Sequence, residues 1–265
     1  MMMSKEPKKY WALILGGSSG LGLATAKKLA KANYNILIVH RDRKSDLEEI
    51  KRYYQEITLM GAQVKSFNVD VTRADKRAAV LQEIGSLQST SSGIKVMVHS
   101  IAKGSLKPMG GNDGTSLNLQ DFQLTLNAMA LSMYEWAQDL IKHSLFAEDA
   151  RIISFTSEGN KKAWEGYAAV SAAKATLEAL TRNMALEFAP IGIKVNCIQA
   201  GTTDTKAFRM IPKHEELKKN ALLRNPNKRL TTPEDVANAV YLLTLEEARW
   251  ITGTVITVDG GESLR

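Results

Sequence analysis

The chain has 265 residues, 44% of them hydrophobic, which is enough to bury a full α/β core without a second domain. Its single cysteine, Cys197, excludes an intramolecular disulfide and a cysteine-rich metal cage, as suits a reducing compartment. The formal charge of +7 admits an acidic partner, but no zinc-finger spacing, basic-zipper pattern or aromatic RNA-binding motif points to nucleic acid. An acidic protein or a phosphorylated cofactor accounts for the charge as well.

Residues 1–9 are basic, lack the apolar stretch of a signal peptide, and are expected to form a flexible tail. No segment approaches the roughly 20 apolar residues of a membrane span, so a soluble, cytoplasmic protein is expected. The first strand is expected over 11–17 and leads through a glycine turn into a helix over 20–33. Further strands are expected at 35–40, 63–69, 95–100, 151–157, 194–200 and 254–261, with helices near 45–59, 73–88, 119–143, 165–189 and 233–247 between them. Short β-rich runs alternating with helices predict one α/β domain over 1–265, a Rossmann-like, doubly wound parallel sheet of about seven strands with helices on both faces. Thr232, Pro233, Glu234 and Asp235 give the last helix a cap, an early proline and favourable early charge. Residues 202–231 break the rhythm; a long insertion at the carboxyl edge of a parallel sheet is expected to be a substrate lid.

Gly16, Gly20 and Gly22 lie in LILGGSSGLGLATAKKLA with the spacing G-x3-G-x-G. After a first strand and before a helix, such glycines let the backbone turn tightly, approach a pyrophosphate and pack the helix against the sheet. Gly16, Ser18, Ser19, Gly20, Leu21 and Gly22 are therefore the expected cofactor turn. An NAD-selective site ends its second strand with an acid for the ribose 2′-hydroxyl; here that place holds His40, followed by Arg41 and then Asp42. A guanidinium there suits the 2′-phosphate of NADPH by charge and bidentate geometry. His99 has no cluster of metal-ligand types around it and is expected to be structural. Cys197, in the apolar run KVNCIQA, is expected to be a buried thiol.

Tyr167 and Lys174, in EGYAAVSAAKATLEAL, are separated by two helical turns, so both project from one helix face about 10 Å apart. A lysine beside a nucleotide-binding sheet can hold a cofactor ribose while the phenol donates to a substrate oxygen.

With these residues the chain resembles the short-chain dehydrogenase/reductase superfamily over nearly its whole length. The resemblance is carried by Gly16-x3-Gly20-x-Gly22, Asp70-Val71, Asn127 in the fourth-crossover helix, Ser157 after the fifth strand, Lys174 and the VDGG at 258–261. Ketone reductases of that group place the tyrosine four residues before the lysine, where this chain has Val170. Tyr-x6-Lys with the ordinary glycine spacing is similar to the NADPH-dependent enoyl-acyl-carrier-protein reductases of type III. VHSIA in place of the asparagine-rich motif after the fourth strand, and Ala200-Gly201 in place of proline-glycine after the sixth, agree with an enoyl reductase.

The resemblance implies that Asp70 and Val71 hold the adenine, that the Ile101 backbone approaches the cofactor, and that Thr203 and Thr205 hold the nicotinamide amide and phosphate. It implies hydride delivery from NADPH to the β-carbon of a trans-2-enoyl thioester on an acyl carrier protein. Tyr167 is then the donor to the thioester oxygen, and Lys174 binds the nicotinamide ribose. Asn127 and Ser157 occupy positions that in ketone reductases serve a proton relay and the substrate oxygen. A homo-oligomer, dimer or tetramer, is implied in the same way. Between Lys206 and Arg229 the lid carries Lys206, Arg209, Lys213, Lys218, Lys219, Arg224, Lys228 and Arg229 against only Glu215 and Glu216, with Phe208, Met210, Ile211, Leu217, Leu222 and Leu223 interspersed. Its apolar face is expected to cover an acyl chain and its basic face to meet an acidic carrier protein. A reductase of ketones or 3-oxoacyl thioesters, and an NADPH-binding protein without catalysis, remain the alternatives.

Overall fold

A computed structural model of the chain describes residues 10–87, 93–111 and 115–265. The expected tail at 1–9 lies outside the described residues. Seven parallel strands, Tyr10–Leu15 (β1), Tyr34–His40 (β2), Val64–Asn68 (β3), Ile94–His99 (β4), Phe146–Thr156 (β5), Lys194–Ala200 (β6) and Val255–Val258 (β7), form one sheet in the order β3-β2-β1-β4-β5-β6-β7. The chain starts at β1, winds outward to β3, then returns past β1 to β4. Between β1 and β4 the strand order reverses, which opens a crevice at the carboxyl ends of the strands, the place where such sheets bind ligands.

The strands between the two edge strands are buried on both faces, with side chains alternating from one to the other. Leu13, Leu15, Leu37, Val39, Met97, Ile152, Val195 and Cys197 point to one side. There they pack against Val80, Leu81 and Ile84 of Ala74–Leu87 (α3), Met133, Trp136 and Leu140 of Ser132–Lys142 (α5), and Leu177 and Met184 of Ala168–Phe188 (α6). Ala12, Ile14, Ile36, Ile38, Val96, Val98, Ile153, Phe155 and Ile198 point to the other side. They meet Ala26 and Leu29 of Gly20–Lys31 (α1), Ile50 and Ile57 of Leu47–Leu59 (α2), and Val236, Val240 and Leu243 of Pro233–Thr244 (α8). A period of 2.0 in the strands and about 3.6 in the helices thus generates both halves of the core. Cys197 is a buried free thiol, as expected.

Three differences from the sequence expectation have local causes. The helix expected over 119–143 is Leu119–Leu126 (α4) and α5 joined by a π-helical turn, Asn127–Leu131, which adds a residue to the turn and rotates α5 relative to α4. The last strand ends at Val258, because Asp259 accepts from the Gly261 and Ser263 amides and bends the expected VDGG strand end into a turn. The fifth strand begins at Phe146, upstream of RIISFTS. Thr232 and Asp235 form the reciprocal cap at the start of α8, with Pro233 in its first turn. The 202–231 insertion contains a short turn of helix, Phe208–Met210, and the helix His214–Arg224 (α7). Among the described residues no helix is long and apolar enough to cross a membrane.

Candidate active site

A cavity of about 830 Å³ runs along the carboxyl edge of the sheet, from Arg41 and Arg43 at one end, past the glycine turn, to Tyr167 and the lid at the other. The glycine turn is built for close backbone approach. Gly16 has φ +90°, and a Cβ there would lie 2.4 Å from the Ser100 carbonyl oxygen; on Gly22 it would lie 2.1 Å from the carbonyl of Gly16. The N-terminus of α1 opens at the cavity with Ser18, Ser19, Gly20 and Leu21 along it. Ser19 makes no side-chain cap, and the first turn carries no acid. The orphan amides and positive dipole end are left for a ligand anion such as a pyrophosphate. Ile101, Thr203 and Thr205 line the same stretch, and Thr205 packs across from Gly20. The expected cofactor residues other than Gly22, which packs behind the turn, therefore share one wall, and that wall fits a dinucleotide.

The far end differs from expectation in one contact. Asp70 lines the cavity, but its carboxylate accepts from Arg41 Nη1 at 2.6 Å and from the Thr72 amide and hydroxyl at 3.0 and 2.7 Å, with Lys103 Nζ 3.4 Å away. Although burial opposes it, the two Thr72 donors and the Lys103 cation hold the Asp70 carboxyl down at about 2. Asp42, the alternative ribose acid, is turned to His40 Nδ1 at 2.8 Å. Arg43 and Lys103 add cations at this end that sequence reasoning passed over. Arg43 was legible as a second arginine two residues past Arg41, whereas Lys103 arrives through the β4 loop.

The reacting end is assembled from β5, the turn after it, and α6. Tyr167 is the residue just before α6, 7% exposed, with Trp164 stacked obliquely on it at 4.9 Å between ring centroids. A Cβ on Gly159 would lie 2.4 Å from the phenol ring, so the ring is held between the 158–160 turn and Trp164. Burial pushes the Tyr167 phenol up, and Ser157 draws it partly back. The Ser157 hydroxyl is close enough to act on that phenol but satisfies no hydrogen-bond geometry; it is a buried, unpaired polar group in the cavity wall. Lys174 is buried and donates to the Phe155 carbonyl at 2.6 Å. Burial lowers it to about 8, with the Cys197 sulfur and the Glu178 carboxylate opposing that shift. Ala128, Met129, Leu106, Trp164, Val170 and Ile211 make this end apolar.

Two expectations are corrected. Asn127 is exposed at the start of the π turn and does not line the cavity; the inserted residue brings Ala128 and Met129 to the wall in its place. The lid is also less of a free basic face than its composition implies. Arg209 and Lys218 both pair with Asp204 at 2.7 Å, Lys213 with Glu165 at 2.9 Å, and Arg229 with Asp235 at 2.5 Å. Arg224 bridges Glu158 at 3.0 Å and Glu262 at 2.9 Å, and Glu262 accepts from the Thr202 amide and hydroxyl. Asp204 lies just ahead of the Lys206–Arg229 stretch and the other partners lie in other parts of the chain, so a count of charges within that stretch includes none of them. Among the described residues Lys219 is exposed and in no ion pair. Phe208, Met210 and Ile211 do line the cavity, while Leu222 and Leu223 are exposed.

His99 is buried, with Nε2 2.8 Å from the Ser132 hydroxyl, and burial lowers it to about 3. It is neutral and structural. Among the described residues no group of three or more metal-ligand side chains exists.

A family model described as enoyl-(acyl carrier protein) reductase matches residues 16–263. An uncharacterized oxidoreductase of Bacillus subtilis, YjdA, is 29% identical over 261 residues, 98% of each chain. A 1-cyclohexenylcarbonyl-CoA reductase of Streptomyces collinus is 28% identical over 268 residues, 97% of this chain and 88% of its own. Among solved structures, a short-chain dehydrogenase from Burkholderia cenocepacia in complex with NADP is similar at TM-score 0.79 and 27% identity, covering 97% of this chain and 100% of that one. An enoyl-[acyl-carrier-protein] reductase (NADH) from Aquifex aeolicus has the same fold at TM-score 0.82 and 23% identity, with 98% of each chain covered.

Proposed function

The chain belongs to the short-chain dehydrogenase/reductase superfamily, in the family described as enoyl-(acyl carrier protein) reductase, and on that premise we propose that it is an NADPH-dependent reductase of trans-2-enoyl thioesters. The observation that carries this reading is the wall beside α6: Val170, buried and apolar, occupies the place of a ketone reductase's tyrosine, and Tyr167, just before the helix, lines the same cavity as Lys174.

When bound, the nicotinamide cofactor supplies a hydride. Reduction of an enoyl thioester at its β-carbon sends charge to the thioester oxygen, two carbons beyond the reacting centre, so the donor must be offset from the hydride site. Tyr167 is that donor in this proposal. Its neutral phenol, kept protonated by burial, donates to the oxygen, and uptake of a proton at the α-carbon completes the reduction. Lys174 binds the nicotinamide ribose hydroxyls and lowers the cost of negative charge nearby. Ser157 supplies the second hydroxyl at the same oxygen, and the apolar wall of Met129, Trp164, Val170 and Ile211 takes the acyl chain and excludes water. A cytoplasmic homo-oligomer serving fatty acid synthesis completes the proposal.

Following cofactor absorbance with purified protein, NADPH and either crotonyl or acetoacetyl thioester tests it. Oxidation with crotonyl thioester alone is expected. Oxidation with acetoacetyl thioester alone would establish the carbonyl reductase instead, and none with either would leave a cofactor-binding protein.

Cofactor choice rests on Arg41 in this proposal, although the pair with Asp70 must open to release it. Arg41→Ala is expected to weaken NADPH by roughly 1.5–3 kcal/mol, the range for a hydrogen bond to a charged group, toward the lower end because the Asp70 bond is given up. NADH affinity should hardly change. Titration of each cofactor by fluorescence decides it: equal losses would remove Arg41 from the 2′-phosphate.

The carrier-protein proposal now separates two adjacent lysines. Lys219→Glu is expected to raise KM for carrier-linked substrate several-fold and leave N-acetylcysteamine thioesters unchanged, with an effect that shrinks as salt rises, since exposed charges are screened beyond about 10 Å at 0.1 M. Lys218→Glu places a second acid beside Asp204 and should impair both substrate forms. An equal loss on both forms for Lys219→Glu would sink the docking role.

A further inference from the structure

Behind the reacting end, α6 buries two side chains that ionise, Lys174 at 8% exposure and Glu178 at 7%, one helical turn apart. Among the described residues neither forms an ion pair within 4 Å, whether with the other or with a third group. Glu178 Oε1 accepts from Thr156 Oγ1 at 2.7 Å and from Asn160 Nδ2, so the carboxylate grips both ends of the turn that carries Ser157 and Gly159. Lys174 makes one bond, to the Phe155 carbonyl. A buried charge without a partner is costly enough that the group gives up its ionisation instead. Opposite charges at i and i+4 in a poorly solvated interior offset each other.

Two other groups face Lys174, Cys197 from β6 and His99 from β4, and Tyr167, at the head of α6, lines the same cavity. The thiol is pushed up to about 11 by burial, the imidazole down to about 3, and the phenol upward. All three are uncharged over the pH range in which Lys174 titrates. The Cys197 sulfur therefore carries no full negative charge while Lys174 is protonated, which leaves the Glu178 carboxylate as the counter-charge.

We propose that Glu178 is a positioning residue of the active site, whose buried carboxylate keeps Lys174 protonated from one turn away and ties the Thr156–Asn160 turn to α6. This rests on the assignment of Lys174 to the cofactor ribose. The consequence is that the lysine enters catalysis as a cation by virtue of a residue that touches neither cofactor nor substrate.

Glu178→Gln isolates the charge, because the amide oxygen can keep both hydrogen bonds at the same length of side chain. Lys174 is titrated directly by NMR of protein carrying 13C-labelled lysine side chains, with its signal assigned through Lys174→Arg. In parallel, the NADPH dissociation constant is measured from about pH 6 to 9. The midpoint of Lys174 is expected to fall by about one pH unit or more, since a unit charge one turn away is worth that much even at an effective dielectric near 20. Lys174 then loses its proton at lower pH, and the alkaline loss of NADPH affinity should move down by the same interval. Cys197→Ala and Asn160→Ala keep the Glu178 charge and should leave the midpoint in place, while Asn160→Ala should lower turnover several-fold by loosening the turn. An unchanged midpoint in Glu178→Gln, or an equal shift in Cys197→Ala, overturns the proposal. A midpoint that moves without any change in NADPH affinity upholds the counter-charge and removes Lys174 from the ribose.

Discussion

Tyr167→Phe is expected to lower the rate of enoyl thioester reduction by about 10²–10³-fold, the usual loss on deleting one oxyanion donor, with NADPH affinity nearly unchanged. The ring contributes its packing against Trp164 and the Gly159 backbone, which phenylalanine retains, so the fold of the site should persist. Only the hydroxyl is lost, and it acts where charge develops in the transition state; the loss should fall on kcat more than on KM. Ser157, unpaired in the same wall, supplies what residual donation remains. Steady-state kinetics with crotonyl thioester checks this. Turnover within a few-fold of the parent would take Tyr167 out of the mechanism.

Lys174→Ala is expected to damage binding and turnover together. Removing a cation that meets the ribose hydroxyls should weaken NADPH by roughly 1.5–3 kcal/mol, and loss of its field at the phenol should lower kcat as well. The pH dependence has a definite sign. Lys174 is lowered to about 8 by burial, so it is cationic below that value and neutral above it. NADPH affinity should therefore be fully present near neutrality and decline as pH rises through about 8. In Lys174→Ala that decline should be absent. Isothermal titration of NADPH across this range reads both effects; an unchanged affinity in the alanine variant contradicts the ribose role.

Much of the site was legible in the residues because its parts are local. The Gly16–Gly22 turn needs a few neighbouring residues with the right backbone freedom, and Tyr167 and Lys174 are near in sequence, although Tyr167 sits just before α6 and not on its face as the spacing predicts. The cavity has both features on its wall or directly behind it. The alternation of apolar side chains in the strands likewise determined the two-faced sheet, and the change from period 2 to 3.6 located the helices between them.

What the tertiary structure decided depends on contacts between distant segments. Nothing near Asp70 in the sequence marks its carboxylate as engaged, since its partner Arg41 is 29 positions away and Lys103 is 33. By its own residues the lid is predominantly basic, because Glu158, Glu165, Asp235 and Glu262, which pair with it, lie outside the insertion. Asn127 was placed by its motif, yet a single π turn rotated it to the surface, and no local pattern marks where a helix will widen by one residue. Backbone periodicity is set by neighbours in sequence and can be read along the chain. The charge state and direction of a side chain are set by whatever the fold packs against it, and for this site those groups come from β4, β5, β6 and the C-terminal turn.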